Sequence, residues 1–167
     1  MSSTAREGYD AARAMGSDIL SVRQMRKLGA DGVIARIPEG ARVYVTLDID
    51  GLCPSIAPGT GTPSHGGFLY YEVIEMLQAL ANRHDVVGID LVEVAPDYGH
   101  TGSTAILAAQ VLLNFLGFVL HSRTKRTSER GGGTSDECRV RQPRSPSPRR
   151  QAGTRRPQAR AARPPAP

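Results

Sequence analysis

Apolar positions recur along the first 120 residues in two rhythms, and the change from one to the other marks the expected elements. Glu7 to Met15 reads as a short helix and Asp18 to Ser21 as a short apolar strand. From Val22 to Ile37 the residues Val22, Met25, Leu28, Val33, Ile34 and Ile37 fall at spacings near three and four. That spacing predicts an amphipathic helix, weakened by Gly29 and Gly32 and ended by Pro38. Val43 to Leu47 is instead continuously apolar or β-branched, the pattern of a strand buried within a parallel sheet. Leu69, Val73, Met76, Leu77 and Leu80 restore the helical rhythm over Phe68 to Asn82, and Val86 to Val92 reads as a second buried strand. Between them Gly51 to Gly67 holds five Gly and three Pro, so it is a long loop, and such loops in compact domains are usually functional. Asp97 to Gly102 forms a second loop.

Thr104 to Leu120 closes this region as its most apolar helix. Its length sits at the lower limit for a bilayer span, and Gln110 and Asn114 interrupt it at helical spacing, which favours a buried core helix over a membrane segment. The alternation of strand and helix predicts βαβ units and a parallel α/β sheet covered by helices.

Charge divides the 167 residues unevenly. Met1 to Ser122 carries 8 basic and 13 acidic residues, net −5, whereas Arg123 to Pro167 carries 13 basic and 3 acidic, net +10. The second segment has 7 of the 12 Pro and no Leu, Ile, Phe or Tyr, so it has almost nothing to bury and is expected to be a disordered Arg/Pro/Ser-rich tail. The expected organisation is one folded region over 1–122 and a tail over 123–167. Cys53 and Cys138 lie on opposite sides of this break, which makes a disulfide framework improbable and a reducing, cytoplasmic setting the simpler expectation. The N-terminal residues show no apolar stretch of the kind a secretory signal needs.

The candidate chemistry lies at the strand ends. Asp48 and Asp50 follow the first strand and Glu93 the second, so in a parallel sheet all three carboxylates emerge at the C-terminal edge, where open α/β sheets bind ligands. Crowded carboxylates repel unless a cation lies between them, and oxygen ligands suit Mg, Mn or Ca. Spacing alone leaves the alternative that Asp48 and Asp50 simply cap a turn. Cys53 has no His beside it in sequence and reads poorly as a catalytic thiol.

The run from Val45 to Pro63, with Asp48-Ile49-Asp50-Gly51-Leu52-Cys53-Pro54, the Pro58-Gly59-Thr60-Gly61-Thr62-Pro63 loop and then Gly66-Gly67, resembles the signature of the ureohydrolase (arginase/agmatinase) family. Asp90-Leu91-Val92-Glu93-Val94-Ala95-Pro96, with Thr101-Gly102 and Thr104-Ala105, resembles that family's next block. The resemblance runs from about Gly8 to Leu120 and is closer to agmatinases than to arginases. It implies a three-layer α/β/α arginase-like fold with a parallel sheet, truncated here, and Mn-dependent hydrolysis of a guanidino compound to an amine and urea. It also implies metal-ligand roles for Asp48 and Asp50, a substrate-guanidinium role for Glu93, and a pair of manganese ions sharing a hydroxide. Gly59 and Gly61 would let the loop bend beside the site.

The family's Gly-Gly-Asp-His and Asp-Ala-His-x-Asp blocks, which supply the other metal ligands, do not occur in this chain. Little activity is therefore expected from the chain alone. Cys53 occupies the place of a third Asp, which puts loop rigidity in doubt. His65, His84, His100 and His121 all fall outside the ligand positions.

Two other readings concern partners. The +10 tail could give non-specific, salt-sensitive nucleic-acid binding, but it has no aromatic residue for base stacking, and its composition is also that of a GC-rich stretch read in a shifted frame. The folded region could instead pair with a separate N-terminal half or with copies of itself. A membrane partner is not expected.

Overall fold

A computed structural model describes residues 6–99 and 101–131. The elements follow in the order α1 (Arg6–Ala14), α2 (Val22–Ile34), β1 (Arg42–Asp48), α3 (Tyr70–Arg83), β2 (Asp85–Val92) and α4 (Ser103–Gly131), with single 3-10 turns at Ile49–Gly51 and Pro96–Tyr98. The segment Asp18 to Ser21, expected as a strand, is irregular. Its ends are used otherwise. Asp18 accepts two hydrogen bonds from the Arg36 guanidinium, and Ser21 caps α2, its hydroxyl accepting from the Gln24 N–H while Gln24 Oε1 accepts from the Ser21 N–H. That reciprocal box satisfies two of the helix's orphan donors, and a strand here would lose both. Gly29 interrupts α2 with φ 68°, so the predicted helix is kinked and stops three residues earlier than expected, at Ile34.

β1 and β2 pair in parallel from Arg42 opposite Asp85 to Asp48 opposite Val92, with one irregularity between Val43 and Tyr44. Among the described residues the sheet has these two strands. β1 alternates: Val43, Val45 and Leu47 pack against the core, while Arg42, Tyr44, Thr46 and Asp48 are exposed. The expected parallel α/β arrangement is present, and its helices α3 and α4 pack on β2. No second helical layer occurs among the described residues, which is why half of a strand that reads as buried on both faces meets solvent. The outer face is not bare. The Tyr44 ring lies across Gly88, where an added Cβ would come within 2.7 Å of it, and the Tyr44 hydroxyl donates to Asp90 Oδ2 at 3.0 Å.

The core runs from Ile34 through Ile49, Leu52, Ala57, Val73, Leu77, Leu80 and Val86 to Ala108, Val111 and Phe115. α4 buries Ala108, Val111 and Phe115, so it is a core helix on that side. By length and composition it is also apolar enough to cross a membrane, and its opposite side leaves Ile106, Leu113, Leu116 and Leu120 exposed. The expectation of a buried helix thus holds for one side only. α4 also runs past the composition break at Ser122 to Gly131, correcting the expected tail boundary for residues 123–131. The reason is local: the Arg123 guanidinium donates to the Val86 carbonyl at 2.7 Å and that of Arg126 to the His84 carbonyl at 3.3 Å. Those bonds give the first basic residues a place on the fold. The remainder of the tail, 132–167, lies outside the described residues.

The long loop is closed at its base by backbone. Cys53 N–H donates to Phe68 O at 2.9 Å and Phe68 N–H to Gly51 O at 2.9 Å. Gly67 passes so close that a Cβ there would lie 2.6 Å from Gly51 O and from the Leu52 carbonyl carbon. Arg26 of α2 fixes the same junction, donating to Gly67 O at 2.9 Å and to both carboxylate oxygens of Glu72 at 2.7 and 3.0 Å. Glu72 in turn accepts the Leu69 N–H at the start of α3.

Gly67→Ala is expected to destabilise the chain by about 1–3 kcal/mol, because its neighbours Gly51, Leu52 and Cys53 present backbone atoms that cannot turn aside; Gly61→Ala, with open space around it, should change stability by less than about 0.5 kcal/mol. Urea midpoints at constant slope measure both. The Arg26 guanidinium holds the Glu72 carboxyl below its ordinary range, so the pair's contribution is complete above that range and is lost as pH falls through the lowered value. Arg26→Gln should flatten this acid limb of a stability–pH curve.

Candidate functional site at the carboxyl edge of the sheet

The parallel register sets Asp48 opposite Val92, so the residues that follow the two strands leave the sheet side by side. Asp48 ends β1 and caps the turn after it: its Oδ1 accepts the Asp50 N–H at 3.0 Å. The turn-capping alternative is therefore realised, and it is compatible with a ligand role because one oxygen of each carboxylate carries the turn contacts. Asp50 Oδ2 accepts from the Thr62 hydroxyl, which ties the turn to the middle of the long loop. Glu93, one residue past β2, is exposed and has φ 63°. The left-handed region costs a residue with a Cβ about 1–2 kcal/mol. Glu93 alone among the described non-glycine residues adopts it, and such strain concentrates at functional positions.

Asp48 feels the other two carboxylates. The Asp48 carboxyl is pushed above its ordinary range, first by the desolvation its neighbours impose and then by Asp50 and Glu93, against the stabilising Asp50 N–H. A cation beside them would relieve that repulsion. Oxygen donors of this kind suit a hard divalent metal such as manganese in type. In number they fall short: among the described residues no three His, Cys, Asp or Glu side chains converge to hold a metal ion. The residues present thus match part of a metal centre and do not form one alone. Of the histidines, His65 and His121 are exposed, His84 is buried at the end of α3, and His100 lies outside the described residues.

The loop beside this edge is firmly built. Ala57 and Thr60 are buried, and the Ile56 and Ala57 N–H groups both donate to the Cys53 carbonyl. Position 53 therefore organises the loop through its backbone. The Cys53 thiol accepts from the Ser55 hydroxyl at 3.1 Å, and that bond holds its acidity above that of an ordinary thiol, the Arg26 charge adding to it. Gly59 has a different task from the bend expected of it. Its N–H donates to Thr104 Oγ1 at 2.8 Å, its carbonyl accepts the Ala95 N–H at 2.9 Å, and a Cβ would press on Thr104 at 3.0 Å. It is the point where loop, β2 exit and α4 meet. Gly61 has neither positive φ nor a close neighbour, so the expected bending role does not hold there.

Sequence reasoning missed Thr62, Thr104 and Asp90. Asp90 was readable as the first residue of the block ending at Glu93, but strand position hid that its carboxylate lies on the open face, bonded to Tyr44, with Oδ1 buried and unpartnered.

A parallel α/β fold with carboxylates at its C-terminal edge, beside a Pro-Gly-Thr-Gly-Thr-Pro loop, defines the class of open α/β scaffolds that bind ligands at that edge. The family model described as the arginase family matches residues 1–117, and the chain belongs to that family. It is 41% identical over 108 residues to proclavaminate amidinohydrolase of Streptomyces clavuligerus, covering 63% of this chain and 34% of that protein. It is 42% identical over 105 residues to agmatinase of Chromobacterium violaceum, covering 61% and 32%. The solved structure of the Streptomyces clavuligerus enzyme superposes with TM-score 0.63 at 36% identity, over 68% of this chain and 38% of that one. Agmatine ureohydrolase of Thermoplasma volcanium gives TM-score 0.65 at 30% identity, over 74% and 41%. The chain thus spans about a third of the length of the curated relatives it matches.

Replacing Glu93 by Gly removes the Cβ that makes φ 63° costly. Glu93→Gly is expected to leave stability unchanged or raise it by up to about 1 kcal/mol, whereas Glu93→Val should lower it by about 1 kcal/mol, as chemical denaturation of the two variants will show.

Proposed function

We propose that this chain forms the substrate-facing and part of the metal-facing wall of a guanidino ureohydrolase site, acting on agmatine or a similar guanidino compound. The single observation that carries the reading is the exit of Asp48, Asp50 and a left-handed Glu93 at one sheet edge, in a chain of the arginase family. Glu93 is exposed and anionic, and a carboxylate can meet a planar guanidinium through two parallel charge-assisted hydrogen bonds. Asp48 and Asp50 each keep an oxygen free of the turn contacts and would offer it to manganese once further ligands are present. A metal pair of this kind supplies a hydroxide nucleophile near neutral pH. With two ligand carboxylates of its own, the chain by itself is expected to be inactive.

A chimera tests this directly. The segment of Chromobacterium violaceum agmatinase that this chain matches is exchanged for residues 1–117, and urea release is followed with agmatine and 4-guanidinobutyrate in the presence of manganese. The chimera is expected to release urea. Asp48→Ala should abolish it, and Glu93→Gln should lower kcat/KM by about 100-fold, the loss of one charge-assisted interaction with the substrate. A folded, manganese-loaded chimera that hydrolyses no guanidino compound would overturn the reading.

A further inference from the structure

Where the chain enters the two strands, a cavity of about 360 Å³ is lined by Ile34, Ala35, Ile37, Glu39, Arg83 and His84. Its two walls are built before any ligand arrives. On one, the chain leaving α2 is fixed by the Ile37 N–H donating to Ile34 O at 3.1 Å and the Ala41 N–H to Pro38 O at 3.1 Å. On the other, the His84 N–H donates to Leu80 O at 2.9 Å, and the His84 carbonyl accepts from Arg126. Ile34 is buried in the core and Ile37 packs against it, so the α2 wall is largely apolar. The polar groups of the cavity are of both signs, and the fold makes little use of them. Arg83 makes one hydrogen bond, from Nη1 to Asp31 O at 3.3 Å, and among the described residues neither Arg83 nor Glu39 takes part in an ion pair. His84 is 5% exposed, and its Nδ1 is buried with no partner. That nitrogen lacks the hydrogen bond that buried polar atoms ordinarily have.

We propose that this cavity binds a small amino carboxylate, a molecule with a carboxylate at one end, an ammonium at the other and a short aliphatic chain between. The carboxylate accepts charge-assisted hydrogen bonds from the remaining N–H donors of Arg83 and from the His84 ring, which gains its missing partner. The ammonium pairs with Glu39, and the chain covers Ile34 and Ile37. Size limits the occupant: small-molecule sites enclose about 300–1,000 Å³, and this cavity stands near the lower end, with room for one compact molecule. Charge decides its kind. A simple anion would face Glu39, a simple cation would face Arg83, and an uncharged apolar molecule would take both from water without compensation. Glu39 precedes β1 and His84 precedes β2 in a parallel pair, so the cavity lies at the opposite end of the strands from Asp48, Asp50 and Glu93. Nothing in it depends on guanidino hydrolysis.

The test titrates the full 167-residue chain, labelled with nitrogen-15, with 6-aminohexanoate, and with hexanoate, hexylamine and inorganic phosphate as probes of a single charge sign. Two-dimensional amide and imidazole NMR spectra report where each binds. Saturable shifts are expected at residues 34–39 and at the His84 ring nitrogens, with a Kd of about 1 mM or tighter for 6-aminohexanoate. The other three probes should bind at least about tenfold more weakly, each lacking one charge-assisted contact. Arg83→Gln and Glu39→Gln, both at exposed positions, should each weaken 6-aminohexanoate at least about tenfold. Ala35→Trp, which fills the cavity without altering charge, should abolish binding. Glu75→Gln on α3 makes the same change of charge outside the cavity and should leave binding unchanged. Amide dispersion equal to wild type shows that each free variant is folded. The proposal is overturned if the folded wild type shows no shifts at residues 34–39, or if a probe of single charge sign binds as tightly as the amino carboxylate. Shifts gathered instead at Asp48, Asp50 and Glu93, or equal weakening by Glu75→Gln and Glu39→Gln, would overturn it as well.

Discussion

Everything at the candidate site depends on two strands running the same way. Parallel pairing sends both chains out of the sheet at one edge, and the register that sets Asp48 opposite Val92 leaves no choice about where Asp50 and Glu93 go. An antiparallel pair would place the same residues at opposite ends. The connection between the strands must therefore return across the full length of the sheet, and the chain does so with the long loop and α3. The junction at Gly51, Gly67 and Phe68, held from outside by Arg26, is what makes that return tight enough to keep Thr62 against Asp50.

Much of this was legible in the residues because the relevant constraints are local. Apolar spacing located α2, α3, α4 and both strands, and Gly51 to Gly67 had to be a loop. Asp48, Asp50 and Glu93 could be placed at one edge once the strands were taken as parallel. What was not legible depended on contacts distant in sequence. Asp18 to Ser21 reads as a strand until Arg36, 18 residues on, claims the Asp18 carboxylate. Residues 123–131 read as tail because composition carries no sign that Val86 and His84 offer carbonyls to Arg123 and Arg126. Thr104 as the acceptor for Gly59 is a meeting of residues 45 positions apart.

Position 53 illustrates the difference between a motif and its physical content. The family pattern expects an acid there, yet the loop is organised by the backbone N–H and carbonyl of that residue, which every amino acid except proline supplies in full. The side chain is free to differ where the main chain performs the structural task. Glu93 is the reverse case: its backbone is unfavourable for the residue it carries, which turns attention from the main chain to the side chain.

α4 has a consequence for the charge distribution. Its last described turns bond to carbonyls at the start of β2, the end of the sheet away from Asp48 and Glu93. Arg123 and Arg126 are thereby held at the opposite end of the strands from the carboxylates, where Arg123 also pairs with Asp85 at 3.6 Å. Asp48, Asp50 and Glu93 thus stand at one end of the strands and these two guanidiniums at the other. A charge separation of this kind favours a cation near the carboxylates over one near the arginines, and added salt shortens its reach.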